Sequence, residues 1–355
     1  MQMLNKISHS SNFDQYSNAA SVYESELLSG SGHIKALERK LAKHYGKKFA
    51  ITFSNATQTI FFICLALDIK ENEIITSPFT WGGSIAPFLF FNNKILFSEF
   101  DFDNYCLDPQ KLNKRISKNT KVLLSIDYCG NPADTKSLKK YCEDNNLLLI
   151  SDSSQSFGAY YENKPAGFYS DIIIVSFGQG KPLYGGEGGA VITSDEKLLE
   201  SLIWLSQHPQ RQKKHFGLSY LNQFGLNGRI NPLAPKQIIS NWDKFLKNLK
   251  NKQNGLFDFY NYLKNNGVIK AKIFLKEPVN SSFYIPIFEM SPDINPSEVN
   301  LVFNKREPYK GINHYKIQLL TEDNFFIKEY SHLSRNLISK QFIRDLNSRN
   351  YVCIN

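Results

Sequence analysis

Lys181 is the residue in this chain best placed to do covalent chemistry. It lies in Ser176-Phe-Gly-Gln-Gly-Lys-Pro-Leu-Tyr-Gly-Gly-Glu-Gly-Gly189, directly after the apolar run Asp171-Ile-Ile-Ile-Val-Ser-Phe177. An amine held just past a buried strand, between glycines and partly out of water, gives up its proton more readily and can hold a carbonyl cofactor as a Schiff base. Some thirty residues earlier a second apolar run, Leu147-Leu-Leu-Ile-Ser-Asp152, delivers a carboxylate at its end. A pyridinium nitrogen needs such a carboxylate, which keeps it protonated and makes the ring an electron sink. Taken alone, Asp152 would serve equally well as a helix N-cap after a strand. The two strand ends together point to pyridoxal phosphate (PLP) chemistry.

Other residues extend this pattern. Gln155, three positions after Asp152, could donate to a ring hydroxyl, or could be an exposed turn amide. Ser54-Asn-Ala-Thr57 follows a candidate strand and opens a candidate helix, where backbone N–H groups form an anion site suited to a phosphate; it would also suit an ordinary N-cap. Trp81, in Ser77-Pro-Phe-Thr-Trp-Gly-Gly-Ser84, offers a flat ring to stack on a cofactor, or a core tryptophan. Asn227-Gly-Arg229 sits in a polar connector that could reach a phosphate or be a plain loop. The basic run Arg211, Lys213, Lys214 and His215 could meet a substrate diphosphate or be a solvated face.

These residues need strands and helices to carry them. Strand-like runs at 49–54, 73–77, 95–100, 122–128, 147–152, 172–177 and 190–193 alternate with helix-length segments at 57–67, 81–91, 109–116 and 135–145. That alternation predicts an α/β fold with a mostly parallel sheet covered on both faces, whose ligands bind at the C-terminal ends of the strands. Residues 208–236 read as irregular, 237–262 as one long helix, and the remainder as a smaller α+β unit whose clearest strand is Ser282-Phe-Tyr-Ile-Pro-Ile-Phe288. The expected division is a large cofactor-binding domain with its N-terminal segment over 1–240 and a small domain over 241–355.

Composition narrows the classes. Hydrophobic residues make up 42% and charged residues 21%, which suits a globular chain with ample core. The net charge of +9 comes from lysines spread among asparagines and not from one stripe, so the expectation is no nucleic-acid partner and a mild attraction for anionic substrates. Five cysteines show no CxxC or Cys/His pattern, so no metal is expected. The first residues lack an apolar signal core and no apolar run is long enough to span a bilayer. A cytoplasmic location without membrane association is therefore expected.

In order and spacing these segments resemble the DegT/DnrJ/EryC1/StrS family of sugar aminotransferases. The matching landmarks are Ser29-Gly-Ser-Gly32, Glu38, Tyr45-Gly46, Ser54-Asn-Ala-Thr57, Ser77-Pro-Phe-Thr-Trp81, Asp152-Ser-Ser-Gln155, Ser176-Phe177, Lys181, Gly186-Glu-Gly-Gly189 and Asn227-Gly-Arg229. The likeness spans about residues 25–240. It implies fold type I architecture, with a large domain built on a seven-stranded, mostly parallel sheet and a small C-terminal α+β domain, and a homodimer with sites at the subunit interface. It implies Lys181 as the Schiff-base lysine, Asp152 on the pyridine nitrogen, Gln155 on the ring hydroxyl and Trp81 stacked on the ring. Asn55, Ala56 and Ser176 would hold the phosphate, with Asn227 reaching it from the other subunit.

The implied activity is transfer of an amino group from an amino acid, glutamate by family habit, to a keto-sugar, nucleotide-linked. Relatives that carry histidine in place of the lysine run dehydration instead, and this chain keeps Lys181. A non-sugar carbonyl acceptor, or a catalytically retired relative acting as a binding or regulatory protein, are the alternatives. The chain departs from the family in three places: Gln58 and Thr59 replace small residues, Asn-Gly-Arg replaces Asn-Tyr-Arg, and Asn313-His-Tyr315 is only a faint counterpart of the His- and Pro-rich substrate segment.

Overall fold

A computed structural model describes residues 30–112, 116–268, 279–291, 312–315 and 317–354. Ser29, the first of the expected landmarks, lies outside the described residues. The first five strands are β1 (Phe49–Phe53), β2 (Glu73–Thr76), β3 (Lys94–Phe97), β4 (Thr120–Ile126) and β5 (Leu148–Asp152). After two short strands, β6 (Tyr160–Tyr161) and β7 (Lys164–Pro165), come β8 (Ile172–Ser176) and β9 (Gly189–Thr193). The main sheet runs β1-β9-β8-β5-β4-β2-β3-β13, where β13 is Ser334–Asn336. All pairs are parallel except those of β9, which is antiparallel to both β1 and β8.

All seven strands expected from the sequence are in this sheet. The eighth, β13, pairs parallel with β3 through Ser334, Arg335 and Asn336. It is three polar residues long and carries no apolar run by which to be recognised. Its place at an edge is fixed by pairing from far along the chain.

Side chains alternate between the two faces of each strand. Ile51, Phe53, Val122, Leu124, Ile150, Ile172, Ile174 and Val191 form one core with the helices α2 (Ala56–Ala66) and α5 (Glu196–Ser206). On the opposite face Ala50, Ile173, Val175, Ala190 and Ile192 pack with α1 (Gly32–His44) and the start of α7 (Leu233–Asn265). Leu123 and Leu149 meet Leu138 and Cys142 of α4 (Thr135–Asp144) on that same face. Burial on both sides is why these strands read as continuous apolar runs.

The expected helix over 81–91 is broken into a short 3-10 turn, Gly82–Ser84, and α3 (Ala86–Phe90). Glycine at 82 and 83 and proline at 87 explain the shortening. Within the stretch expected to be irregular, α6 (Pro209–Phe216) forms; proline stands in its first turn and Gly217, at φ 64°, ends it.

The expected helix 237–262 is longer, as α7. It serves two cores, burying Ala234, Ile238 and Trp242 in one and Leu256, Phe259, Tyr260 and Leu263 in another. Residue 240, where the sequence suggests a second unit, lies inside this helix. After β10 (Val279–Asn280), the second core also holds β11 (Ile287–Met290) and, following α8 (Asn324–Tyr330), α9 (Lys340–Asn347); β11 belongs to the sheet β11-β14-β12, with β12 Ile312–Tyr315 and β14 Asn350–Ile354. Only the end of the run 282–288 is strand: Phe283 takes φ 50°, which turns the chain before β11.

Candidate active site

The C-terminal ends of β1, β2, β4, β5 and β8 converge on one cleft, lined by Asn55, Ala56, Trp81, Asp152, Gln155, Ser176 and Lys181 together with Thr57, Ser84, Ile126 and Ser154. Seven of the eight residues singled out from the sequence are thus brought together from four separate stretches of chain.

Asp152 ends β5 and is buried. One carboxylate oxygen accepts from Ser84 Oγ at 2.7 Å and the other from Ser154 N–H at 3.0 Å. These two donors fix its orientation toward the cleft. Gln155 Oε1 accepts from the Cys129 N–H at 2.8 Å, which leaves its amide N–H groups as the donors it can offer. Lys181 sits on a tight turn whose N–H bonds back to the Gly178 carbonyl at 3.1 Å, while Gly185 N–H returns to Phe177 O at 2.9 Å. Burial lowers the pKa of the Lys181 ammonium, and the charge of Asp152 works in the opposite sense. Its Nζ lies 5.5 Å from the ring centre of Tyr284, within cation–π range.

The turn after β1 forms an anion site. Asn55 caps α2, its Oδ1 accepting from Gln58 N–H at 2.8 Å. The N–H groups of Ala56 and Thr57, in the first turn, have no acceptor within the helix, and both residues line the cleft at the positive end of the helix dipole. Ser176 Oγ adds a hydroxyl from the end of β8. Gly189 must lack a side chain here, because a Cβ would stand 2.6 Å from Ala56 N. The unusual Gln58 and Thr59 are satisfied locally, Gln58 with Ser54 Oγ and Thr59 with the Ala56 carbonyl. Trp81 is no core residue: it is 71% exposed at the rim of the cleft.

Asn227 does not line the cleft. It is exposed, at φ 52°, on a turn that docks through the Gly228 carbonyl on Ser54 N–H at 2.9 Å. A side chain at 228 would collide with the Phe62 ring, so Phe62 fills the space and explains glycine in place of tyrosine. The basic run does not meet a diphosphate as a unit. Arg211 forms a bidentate pair with buried Glu38, NH1 to Oε1 at 3.0 Å and NH2 to Oε2 at 2.9 Å, and Glu38 also accepts from Thr52 N–H and Oγ1. Lys214 and His215 are exposed on α6.

Sequence reasoning missed Ser84, Tyr284 and the Ser281–Ser282 segment. Ser84 had only its place in the Trp81 turn as a signal. Ser281 and Ser282 hydroxyls reach the Gly130 carbonyl, and Ser282 Oγ also donates to the Gln155 carbonyl at 3.0 Å. Nothing in the local sequence foretells contacts across more than 120 residues. Among the described residues, no group of His, Cys, Asp and Glu could hold a metal and no helix is long and apolar enough to cross a membrane.

The sequence profile of the DegT/DnrJ/EryC1/StrS aminotransferases matches residues 11–334. The chain belongs to the DegT/DnrJ/EryC1/StrS aminotransferase family. Family, α/β fold and enzyme class are therefore as the sequence implied. The chain is 26% identical over 341 residues to the UDP-4-amino-4,6-dideoxy-N-acetyl-beta-L-altrosamine transaminase of Campylobacter jejuni, covering 90% of each. It is 27% identical to the UDP-2-acetamido-2-deoxy-3-oxo-D-glucuronate aminotransferase of Pseudomonas aeruginosa, over 66% of this chain and 65% of that one.

Among solved structures, the fold matches Helicobacter pylori PseC, an aminotransferase of pseudoaminic acid biosynthesis, with TM-score 0.74 and 21% identity over 95% of this chain and 90% of that one. It also matches the E. coli GDP-4-keto-6-deoxy-D-mannose-3-dehydratase with bound hydrated PLP, with TM-score 0.76 and 19% identity over 98% and 93%.

Proposed function

We propose that the protein is a PLP-dependent aminotransferase that moves an amino group from an amino acid, glutamate, to a nucleotide-linked keto-sugar. The observation that carries this reading is the single cleft where a desolvated lysine, a strand-end carboxylate and a helix N-terminus face one another. Their chemistry fits each part of PLP: an amine for its carbonyl carbon, an anion for its ring nitrogen, backbone donors for its phosphate. When bound, the cofactor supplies a carbonyl that carries the amino group and a ring that takes up electron density.

The chain's residues do the rest. Lys181, whose ammonium pKa burial lowers, holds the cofactor and then moves the proton at the substrate carbon. Asp152, oriented by Ser84 and Ser154, keeps the proton on the ring nitrogen. Gln155 donates to the ring hydroxyl through its amide. Asn55, Ala56 and Ser176 hold the phosphate, and Trp81 covers the ring from the rim. We place Asn227 at the phosphate of a second copy of the chain, in a homodimer.

The nucleotide-sugar activities of the relatives support the acceptor class. Retention of a lysine at 181 supports amino transfer over the dehydration of the E. coli structural relative. The test is the visible absorption of purified protein with PLP, before and after glutamate, beside Lys181→Ala. Wild type should show a cofactor band that bleaches with glutamate. The variant should lack it and lose turnover by about a thousandfold or more, as expected when a covalent group is removed. Turnover retained by the variant would sink the assignment. Activity with non-sugar carbonyls only would replace the acceptor class.

A further inference from the structure

Behind Asp152 lies a second carboxylate that the proposed reaction does not use. Asp127 follows β4 and is fully buried. Its N–H donates to the Asp152 carbonyl at 3.1 Å. Its Oδ1 accepts from Ala133 N–H at 2.9 Å, and its Oδ2 accepts from both Ser153 Oγ at 2.6 Å and Ser156 Oγ at 2.8 Å. Both serines are buried. Among the described residues no cation pairs with it. A carboxylate without a cation is costly to bury, and three donors are what make it tolerable here. Both of its oxygens accept, so an amide in its place would set its NH2 against either the Ala133 N–H or the two serine hydroxyls.

The geometry ties this group to the cofactor cleft from two sides. Ser153 and Ser156 bracket Ser154 and Gln155, which line the cleft, and Ser153 directly follows Asp152. On its own strand end, Asp127 precedes the Tyr128-Cys129 turn, where Cys129 stands at φ 60° and gives its N–H to Gln155 Oε1. The segment that carries Gln155 is thus bonded to Asp127, and the turn that bonds its amide begins at the residue after Asp127.

We propose that Asp127, clamped by Ser153 and Ser156, is a positioning residue that locks the Asp152–Gln155 strand end and the Cys129 turn into one rigid cradle for the cofactor ring. This rests on the PLP reading above. A side chain that touches no cofactor atom then governs how well the cleft is organised before the cofactor arrives.

The experiment compares wild type with Asp127→Asn and with the pair Ser153→Ala/Ser156→Ala, which keeps the charge and nearly the volume. PLP affinity is read by equilibrium dialysis, the bound-cofactor band by its wavelength, and cofactor-free stability by thermal unfolding. Each variant should weaken PLP binding by about tenfold to a hundredfold and shift the band, the scale at which second contacts act on a bound group. It should also lower kcat more than it raises KM for the sugar acceptor. The triple variant should be no worse than the weaker single set, because both act through one clamp.

Wild type that binds no PLP would overturn the PLP reading itself. Wild type that binds, beside variants with unchanged affinity and band, would overturn the cradle alone, even if those variants unfold at lower temperature. If Asp127→Asn does not fold, the serine pair decides by the same measures.

Discussion

Lys181 and Asp152 act on each other as well as on a ligand. Burial pushes the ammonium pKa down, and the negative charge of Asp152 holds it up. Removing that charge leaves desolvation unopposed, so the amine should lose its proton at lower pH. In cofactor-free protein, labelling of Lys181 by an amine-directed reagent should have its pH midpoint shifted downward by Asp152→Asn. A midpoint that moves upward or stays in place would show that the two groups do not communicate. Both residues were legible in the sequence because each follows an apolar run and precedes turn-forming residues. Ser84, which bonds Asp152, was not, since a serine in a Gly-Gly-Ser turn carries no mark of a partner at position 152.

At the scale of elements, two contacts of α1 matter. Glu38 faces β1 and is held by Arg211 of α6 and by Thr52, with the pair's side chains only 9% and 13% exposed. Arg211→Ala would leave a buried carboxylate without its cation, and the expected loss is about 3 kcal/mol of stability, measured by denaturant unfolding. Converting both partners to apolar residues should cost less than the single change. His44, in the last turn of α1, packs against Phe157 and Trp242 with a buried Nε2 that has no hydrogen-bond partner.

Burial, and to a lesser degree Lys40, lower its pKa from 6.5 to about 4. As pH falls from 6.5 the unfolded chain takes up this proton while the folded chain does not. Stability should therefore fall across that window by about 3 kcal/mol, then level off below it. His44→Phe should flatten that part of the pH–stability curve. An unchanged slope would mean other groups govern it. The helices themselves were readable where apolar periodicity was unbroken. They were misread at 81–91 and 209–216, where glycine, proline and a basic run mask the outcome.

At the scale of the whole molecule, the position of Asn227 makes assembly testable. In one chain its turn is anchored to Ser54, and its side chain is exposed and does not line the cleft. If it serves a second copy's phosphate, Lys181→Ala and Asn227→Ala subunits should each be impaired alone. Mixed dimers would contain one intact site, restoring about a quarter of wild-type activity after random exchange in a two-fold assembly. No restoration from two impaired parents would place Asn227 in its own subunit's site, and full activity of Asn227→Ala alone would place it outside any site.

The chain by itself determined the order of strands and helices, the two strand ends with lysine and carboxylate, and the capped turn before α2. Each of these is a local property: apolar runs of strand length, a glycine-bounded lysine, an Asn-Ala-Thr helix start. Only the tertiary structure decided what lay beyond a few residues' reach. Strand β13 joins the sheet edge from the C-terminal region, one helix serves two cores, Arg211 turns inward to Glu38, and Ser281, Ser282 and Tyr284 close on the cleft from the far end of the sequence. Those outcomes depend on which polar groups find partners once the sheet has closed. A one-dimensional pattern of apolar and polar residues does not hold that information.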